Sequence, residues 1–330
     1  MAAHGHGQQN SFLQRLEFVQ VRDCGDVRTS FPAKLLQALK NLKSVEIEDC
    51  KSLEEVFELG EADEGISEEK ELPLLSSLTE LQLRGLPELK CIWKEPTRHV
   101  SLQSLTLLNL YSLNKLTFIF TLSLAQSLPK LERLEISDCG ELKYLIREED
   151  GEREIIPESP SFPELKTIIV YDCGKLEYVF PVSVCPSLLS LEVMWIFYSD
   201  NLKQIFYNGE GDTLTTYRII EFPRLRKLAL YSTSNYSFFG SKNIPAHLPS
   251  LQNLCLSGHE ELGNLSTQLQ VRPLYFSNNF FLFNLNCQLQ YTVISSSRFL
   301  KLKLWIRGDK SISHPLNLKR SCLTVSFPVS

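Results

Sequence analysis

The chain is poor in what catalysis and membrane insertion require. It has no Gly-x-x-x-x-Gly-Lys-Ser/Thr sequence, so no P-loop is available to cradle nucleotide phosphates. It has no His-Glu-x-x-His to hold zinc and no Gly-x-Ser-x-Gly to present a nucleophilic serine. None of its nine Cys forms a Cys-x-x-Cys pair, which argues against a structural zinc site. The six His are scattered, two of them (His4 and His6) in a polar opening stretch. Acidic pairs occur only in loop-like segments that fix no separation between carboxylates. These gaps predict no enzyme activity, no metal and no cofactor. Basic charge is also short, with 34 Lys and Arg against 39 Asp and Glu, which is unlike a nucleic-acid surface. No apolar run reaches the roughly 18 residues of a membrane span. Met1 to Asn10 contains no apolar core of a secretory signal, so the expected location is cytoplasmic. Without such a signal, disulfides are not expected, and the glycosylation-like triplets at Asn235 and Asn264 carry no meaning.

What the chain does contain is one phrase, repeated. Leu-x-x-Leu-x-Leu-x-x-Cys-x-x-Leu fits Leu131, Leu134, Ile136, Cys139 and Leu142. The same frame fits Leu42, Val45, Ile47, Cys50 and Leu53, and again Leu165, Ile168, Val170, Cys173 and Leu176. Taking the first Leu as an anchor gives nine units, at Leu16, Leu42, Leu78, Leu102, Leu131, Leu165, Leu188, Leu225 and Leu251. The intervals run from 23 to 37 residues. This is the spacing of leucine-rich repeats, in which each unit buries its apolar face only against its neighbours. Within the phrase every second residue is apolar, which is the period of a strand and not of a helix. The expected fold is an α/β repeat solenoid, a leucine-rich-repeat horseshoe. Its concave side is a parallel β-sheet and its convex side irregular or short-helical. Cys24, Cys50, Cys139 and Cys173 share one place in the phrase and are expected to face inward as small apolar side chains. A second apolar group, such as Leu142–Leu145–Ile146 or Leu176–Val179–Phe180, closes the back of the coil.

Stacked strands make extended binding surfaces rather than deep pockets. Residues between the buried positions face outward in two columns. The first reads Gln20, Glu46, Gln82, Thr106, Glu135, Ile169, Glu192, Ala229, Cys255. The second reads Arg22, Glu48, Arg84, Leu108, Ser137, Tyr171, Met194, Tyr231, Ser257. The first five units are mostly polar there. Units six to eight gather Ile169, Tyr171, Met194, Trp195 and Tyr231, residue types that interface cores favour. These five are the candidate partner-binding residues. The alternative is that a loop or the chain's own tail packs over them.

The array is expected over residues 11–265, after a disordered start at 1–10. Two insertions are acidic: nine Asp or Glu between Glu54 and Glu71, and six between Arg147 and Glu158. They read as solvated loops or as docking sites for a basic partner. Residues 266–330 lose the phrase and are either a degenerate cap or an irregular tail. Within them Phe299 to Ile306 alternates like a strand.

The segments LPKLERLEISDCGELKYLI, FPELKTIIVYDCGKLEYVF and LTELQLRGLPELKCIW resemble the C-terminal repeats of plant intracellular disease-resistance proteins. The type is that with a coiled coil, a nucleotide-binding module and leucine-rich repeats. The Asp-Cys pair after the strand, the Phe-Pro lead-ins (Phe162-Pro163 and Phe222-Pro223) and the phrase from Leu86 to Trp93 carry the likeness, over roughly residues 12–265. The resemblance implies a protein-interaction module of plant immunity. Its partner would be a pathogen effector, a host protein altered by one, or the receptor's own nucleotide-binding module. Neither the coiled coil nor the nucleotide-binding module is found in these 330 residues, so nucleotide binding is assigned to no residue. A stand-alone adaptor, such as a ubiquitin-ligase substrate recruiter, and an inactive truncated fragment are the competing readings.

Overall fold

A computed structural model of the chain describes residues 12–58, 74–94, 100–147, 160–207, 220–231, 237–239, 246–257, 290–296, 299–305 and 322–328. The expected disordered start, most of both acidic insertions and residues 258–289 lie outside the described residues. Two compact units are present, Met1–Phe276 and Ser277–Ser330.

The first unit contains a nine-stranded parallel sheet. Its strands are Phe18–Arg22, Ser44–Glu48, Glu80–Arg84, Leu107–Tyr111, Arg133–Ser137, Thr167–Tyr171, Val193–Phe197, Lys227–Tyr231 and Asn253–Ser257, each paired with the next in chain order. The register never slips. Val45 pairs with Val19 on one side and Leu81 on the other, and Ile168 with Leu134 and Met194. Alternation explains the burial: Val45, Ile47, Leu134, Ile136, Ile168 and Val170 are sealed, while their strand neighbours are not. Each such side chain contributes about 1.5–3 kcal/mol by leaving water.

The sheet corrects the expected phasing at two units. The strands of units four and seven begin at Leu107 and Val193, so their anchors are Leu105 and Leu191, three residues past Leu102 and Leu188. With these anchors the intervals become regular: five are 26 or 27 residues and three are 34 to 36. The long intervals are those that hold the undescribed stretches 59–73, 148–159 and 208–219.

Every described strand from unit one to unit seven ends in the same corner. The following residue takes a left-handed backbone: Asp23, Asp49, Gly85, Ser112, Asp138, Asp172 and Tyr198, with φ between 53° and 62°. Side chains crowd the backbone there. Glycine and, less well, Asp or Asn tolerate it, which explains the Asp of the Asp-Cys pair. The Cys that follows points back into the coil. Its thiol lies 3.5–3.6 Å from the carbonyl two residues earlier at Cys24, Cys50, Cys139 and Cys173, a weak cap on the strand end. Cys24, Cys50, Cys91, Cys139, Cys173 and Cys185 are free thiols. A hydrogen bond with Cys139, then burial, raises the Cys173 thiol well above its ordinary value.

The far side of the coil is more regular than expected. Each of units one to eight carries a second short strand after its first. Thr29–Phe31, Glu55–Glu58 and Cys91–Lys94 form one parallel sheet, and Phe118–Thr121, Tyr144–Arg147, Tyr178–Pro181, Gln204–Tyr207 and Ser237–Phe239 another. Their middle residues come as buried pairs, such as Val56-Phe57, Ile119-Phe120, Leu145-Ile146, Val179-Phe180 and Ile205-Phe206. The aromatic members stack from unit to unit: Phe31 on Phe57 and Phe57 on Trp93, both at 5.2 Å between centroids. A further run links Phe120, Phe162, Phe180, Phe206 and Phe222 at 5.4–6.1 Å. The expected short helices follow these strands in three of the 26-residue units, at Ala33–Ala38, Leu122–Gln126 and, as a 3-10 turn, Val182–Ser187. Exposed Lys–Glu pairs also step between units, as at Lys175–Glu141 (2.7 Å) and Lys203–Glu177 (2.6 Å).

The second unit holds three antiparallel strands, Gln290–Ser296, Phe299–Trp305 and Cys322–Pro328. The alternating stretch at Phe299 is therefore a strand, and it belongs to a sheet of its own.

Candidate interaction face

The outward face of the nine-stranded sheet is set by the corrected phase. Its first column becomes Gln20, Glu46, Gln82, Asn109, Glu135, Ile169, Trp195, Ala229 and Cys255. Its second becomes Arg22, Glu48, Arg84, Tyr111, Ser137, Tyr171, Phe197, Tyr231 and Ser257. Thr106 and Glu192 precede their strands, and Leu108 and Met194 turn inward.

Met194 is therefore withdrawn from the candidate site. It is 0% exposed and sits in the interior row with Ile168 and Leu228, because the strand begins one residue before it. Trp195 takes its expected outward place, and Phe197, absent from the sequence-based set, joins it.

The structure brings four of these residues together on adjacent strands. Ile169 pairs with Trp195, and Tyr171 with Phe197. All four are half-buried. The Trp195 and Phe197 rings meet edge-on at 6.3 Å and 73°. Tyr171 meets Tyr198 edge-on at 5.2 Å and 82°. Tyr198 occupies the left-handed corner that its counterparts fill with Asp, Gly or Ser. A bulky residue is strained in that backbone. Its ring extends the aromatic cluster past the strand end. The backbone of Tyr231 pairs with that of Phe197, while its side chain lies outside the described residues. Burial raises the pKa of the Tyr171 phenol, with Asp172 adding to the shift, so the group stays a neutral donor at physiological pH.

The amino-terminal half of the same face is a closed charge network. Arg22 bridges Glu46 at 3.1 Å and Glu48 at 3.0 Å, and Gln20 donates to Glu46 at 2.6 Å. Arg84 reaches Glu48 at 3.7 Å and lies 5.1 Å over the Tyr111 ring. Arg133 pairs with Glu135. A depression lined by Arg22, Glu46, Glu48, Gln82, Arg84, Asn109 and Tyr111 has its charges satisfied from within. Among the described residues no group of His, Cys, Asp and Glu is placed to hold a metal ion, and no helix is long and apolar enough to cross a membrane.

A chain built this way presents a flat, non-polar, aromatic area on a rigid repeat scaffold, which suits protein recognition. A probable disease resistance protein of Arabidopsis thaliana is 30% identical over 118 residues, which is 34% of this chain and 12% of that relative. The chain thus spans a small part of the relative's length. The family described as "Plant disease resistance protein RPS2-like, leucine-rich repeats" matches residues 2–140 and 152–261, and the chain belongs to that family.

Proposed function

We propose that the chain is the recognition and regulatory module of an intracellular plant immune receptor. It binds a pathogen effector, an effector-modified host protein or the receptor's own nucleotide-binding module, and does so in the cytoplasm. The observation that carries this reading is the cluster of Ile169, Tyr171, Trp195 and Phe197 on two adjacent strands of the open sheet face. Large aromatic side chains anchored in a rigid sheet lose little entropy on binding and supply the energetic centre of protein interfaces. The Arabidopsis relative, a probable disease resistance protein, supports the same biology.

The test is proximity labelling in leaf cells with the intact chain and with a Trp195→Ala/Phe197→Ala variant, followed by titration of the enriched protein. The double variant is expected to weaken binding at least tenfold, whereas Gln82→Ala leaves it within a factor of about two. Equal affinity of the double variant, with folding intact, removes the reading.

A further inference from the structure

The aromatic cluster carries no charge of its own, yet acid borders it. The corner residue after Tyr171 is Asp172, and Asp138 holds the same place in unit five. The backbone fixes both beside the cluster. Asp138 N donates to Tyr171 O at 2.9 Å, and Asp172 N donates to Phe197 O at 3.0 Å. Neither carboxylate forms an ion pair among the described residues, and the nearby cations are engaged elsewhere: Arg133 with Glu135, Lys166 with Glu132 and Lys175 with Glu141. Partial desolvation, then the charges of Asp138 and Asp200, raise the Asp172 carboxyl above its ordinary value. Between Ser137 of unit five and Lys227 of unit eight, the outward strand positions are Thr167, Ile169, Tyr171, Val193, Trp195 and Phe197, and none is basic.

The amino-terminal half shows how this face combines the same ingredients. Tyr111 stands in the column of Tyr171, and the strand beside it supplies Arg84. The guanidinium of Arg84 lies 5.1 Å over the Tyr111 ring and 3.7 Å from Glu48. Ring, guanidinium and carboxylate make a set of three. At Tyr171 the ring and the carboxylates are in place, but the flanking residues of the column are Ser137 and Phe197. The set lacks its cation.

We propose that the partner supplies that cation as an arginine side chain laid on the Tyr171 ring, its guanidinium turned towards Asp172 and Asp138. The proposal rests on the reading of the aromatic cluster as the partner-binding face and adds the partner's chemistry, a segment that carries arginine beside apolar side chains. A flat guanidinium can stack on a ring and still donate in its own plane to carboxylates, which an ammonium group cannot do. The methylene stem of the same side chain covers apolar surface.

The experiment is selection of a random heptapeptide phage library on the whole chain, discarding peptides that still bind the Trp195→Ala/Phe197→Ala variant. The selected peptides are resynthesised with arginine replaced by citrulline, which keeps the shape and removes the charge. Both forms are titrated by calorimetry against the parent chain and against Asp138→Asn/Asp172→Asn. Asparagine tolerates the left-handed corner, so this variant keeps its fold. The expected result is that arginine recurs among the peptides. Citrulline should lower affinity roughly tenfold or more on the parent and no more than about threefold on the Asn variant. Peptides that need Trp195 and Phe197 but carry no arginine overturn the assignment and leave the binding face standing. So do peptides that lose as much to citrulline on the Asn variant as on the parent. A library without any binder that depends on Trp195 and Phe197 overturns both.

Discussion

Two stretches of one sheet face carry opposite chemistries on the same backbone. In units one to five the outward columns are Gln, Glu, Arg and Asn apart from Tyr111 and Ser137, and the charged and amide side chains pair with one another, mostly across the strands. In units six and seven the same positions are Ile, Tyr, Trp and Phe. The strand ladder, the corner and the buried rows do not change between them. The scaffold thus leaves the outward positions free to vary, and it is there that the two halves part company. A polar network that satisfies itself has little to offer a partner, because binding would first have to break its pairs. An aromatic cluster gains by being covered.

The comparison can be tested most severely at two adjacent residues. Met194→Ala should cost about 2–5 kcal/mol of stability by urea unfolding, since it empties a sealed site. Trp195→Ala, next to it, should cost less than half as much and act chiefly on binding. Equal losses would mean that the strand's phase is wrong. Next in size is the corner. Gly85 sits at φ 62°, and a Cβ there would collide with the Asp49 carboxylate. Gly85→Ala should therefore destabilise by roughly 1–2 kcal/mol, seen as a lower urea midpoint with an unchanged slope.

Smaller effects sharpen the polar half. Glu48→Gln removes a carboxylate shared by Arg22 and Arg84 and should cost under about 1 kcal/mol, less at high salt. The smallest concerns Asp172. Partial desolvation, then the charges of Asp138 and Asp200, raise its pKa in the folded state. A carboxyl with a raised folded pKa binds its proton more tightly when folded. Stability from this group is therefore present at low pH and is lost as pH rises from the ordinary carboxylate value through the folded one. Asp172→Asn should remove that slope and leave the variant slightly more stable than the parent at pH 7, measured as melting temperature across pH 4 to 7.

Much of the fold was legible because alternation is hard to mimic. Val45 and Ile47, or Ile168 and Val170, could only be the buried side of a strand, and the nine units followed. The phase at two units was not legible from the anchor alone. Leu102-x-x-Leu105-x-Leu107 and Leu105-x-x-Leu108-x-Leu110 both satisfy the phrase, as do the two frames around Leu188. In the seventh unit the decision lay downstream. Only the frame from Leu191 brings Leu202 to the place of Leu142 and Leu176; the frame from Leu188 puts Ser199 there. That slip put Met194 on the surface and hid Phe197. The second strands were read only as an apolar group because their middle pairs are buried on both sides, which erases alternation. Comparing Val56-Phe57, Val179-Phe180 and Ile205-Phe206 in one column would have revealed them.

The column of inward thiols has a practical consequence. Cys50, Cys139 and Cys173 are shielded from any alkylating reagent while their coils remain closed, and Cys24 in the first described coil is half open. Mass spectrometry after brief exposure to iodoacetamide would thus act as a position-resolved clock, recording which coils open first and how far fraying travels along the stack.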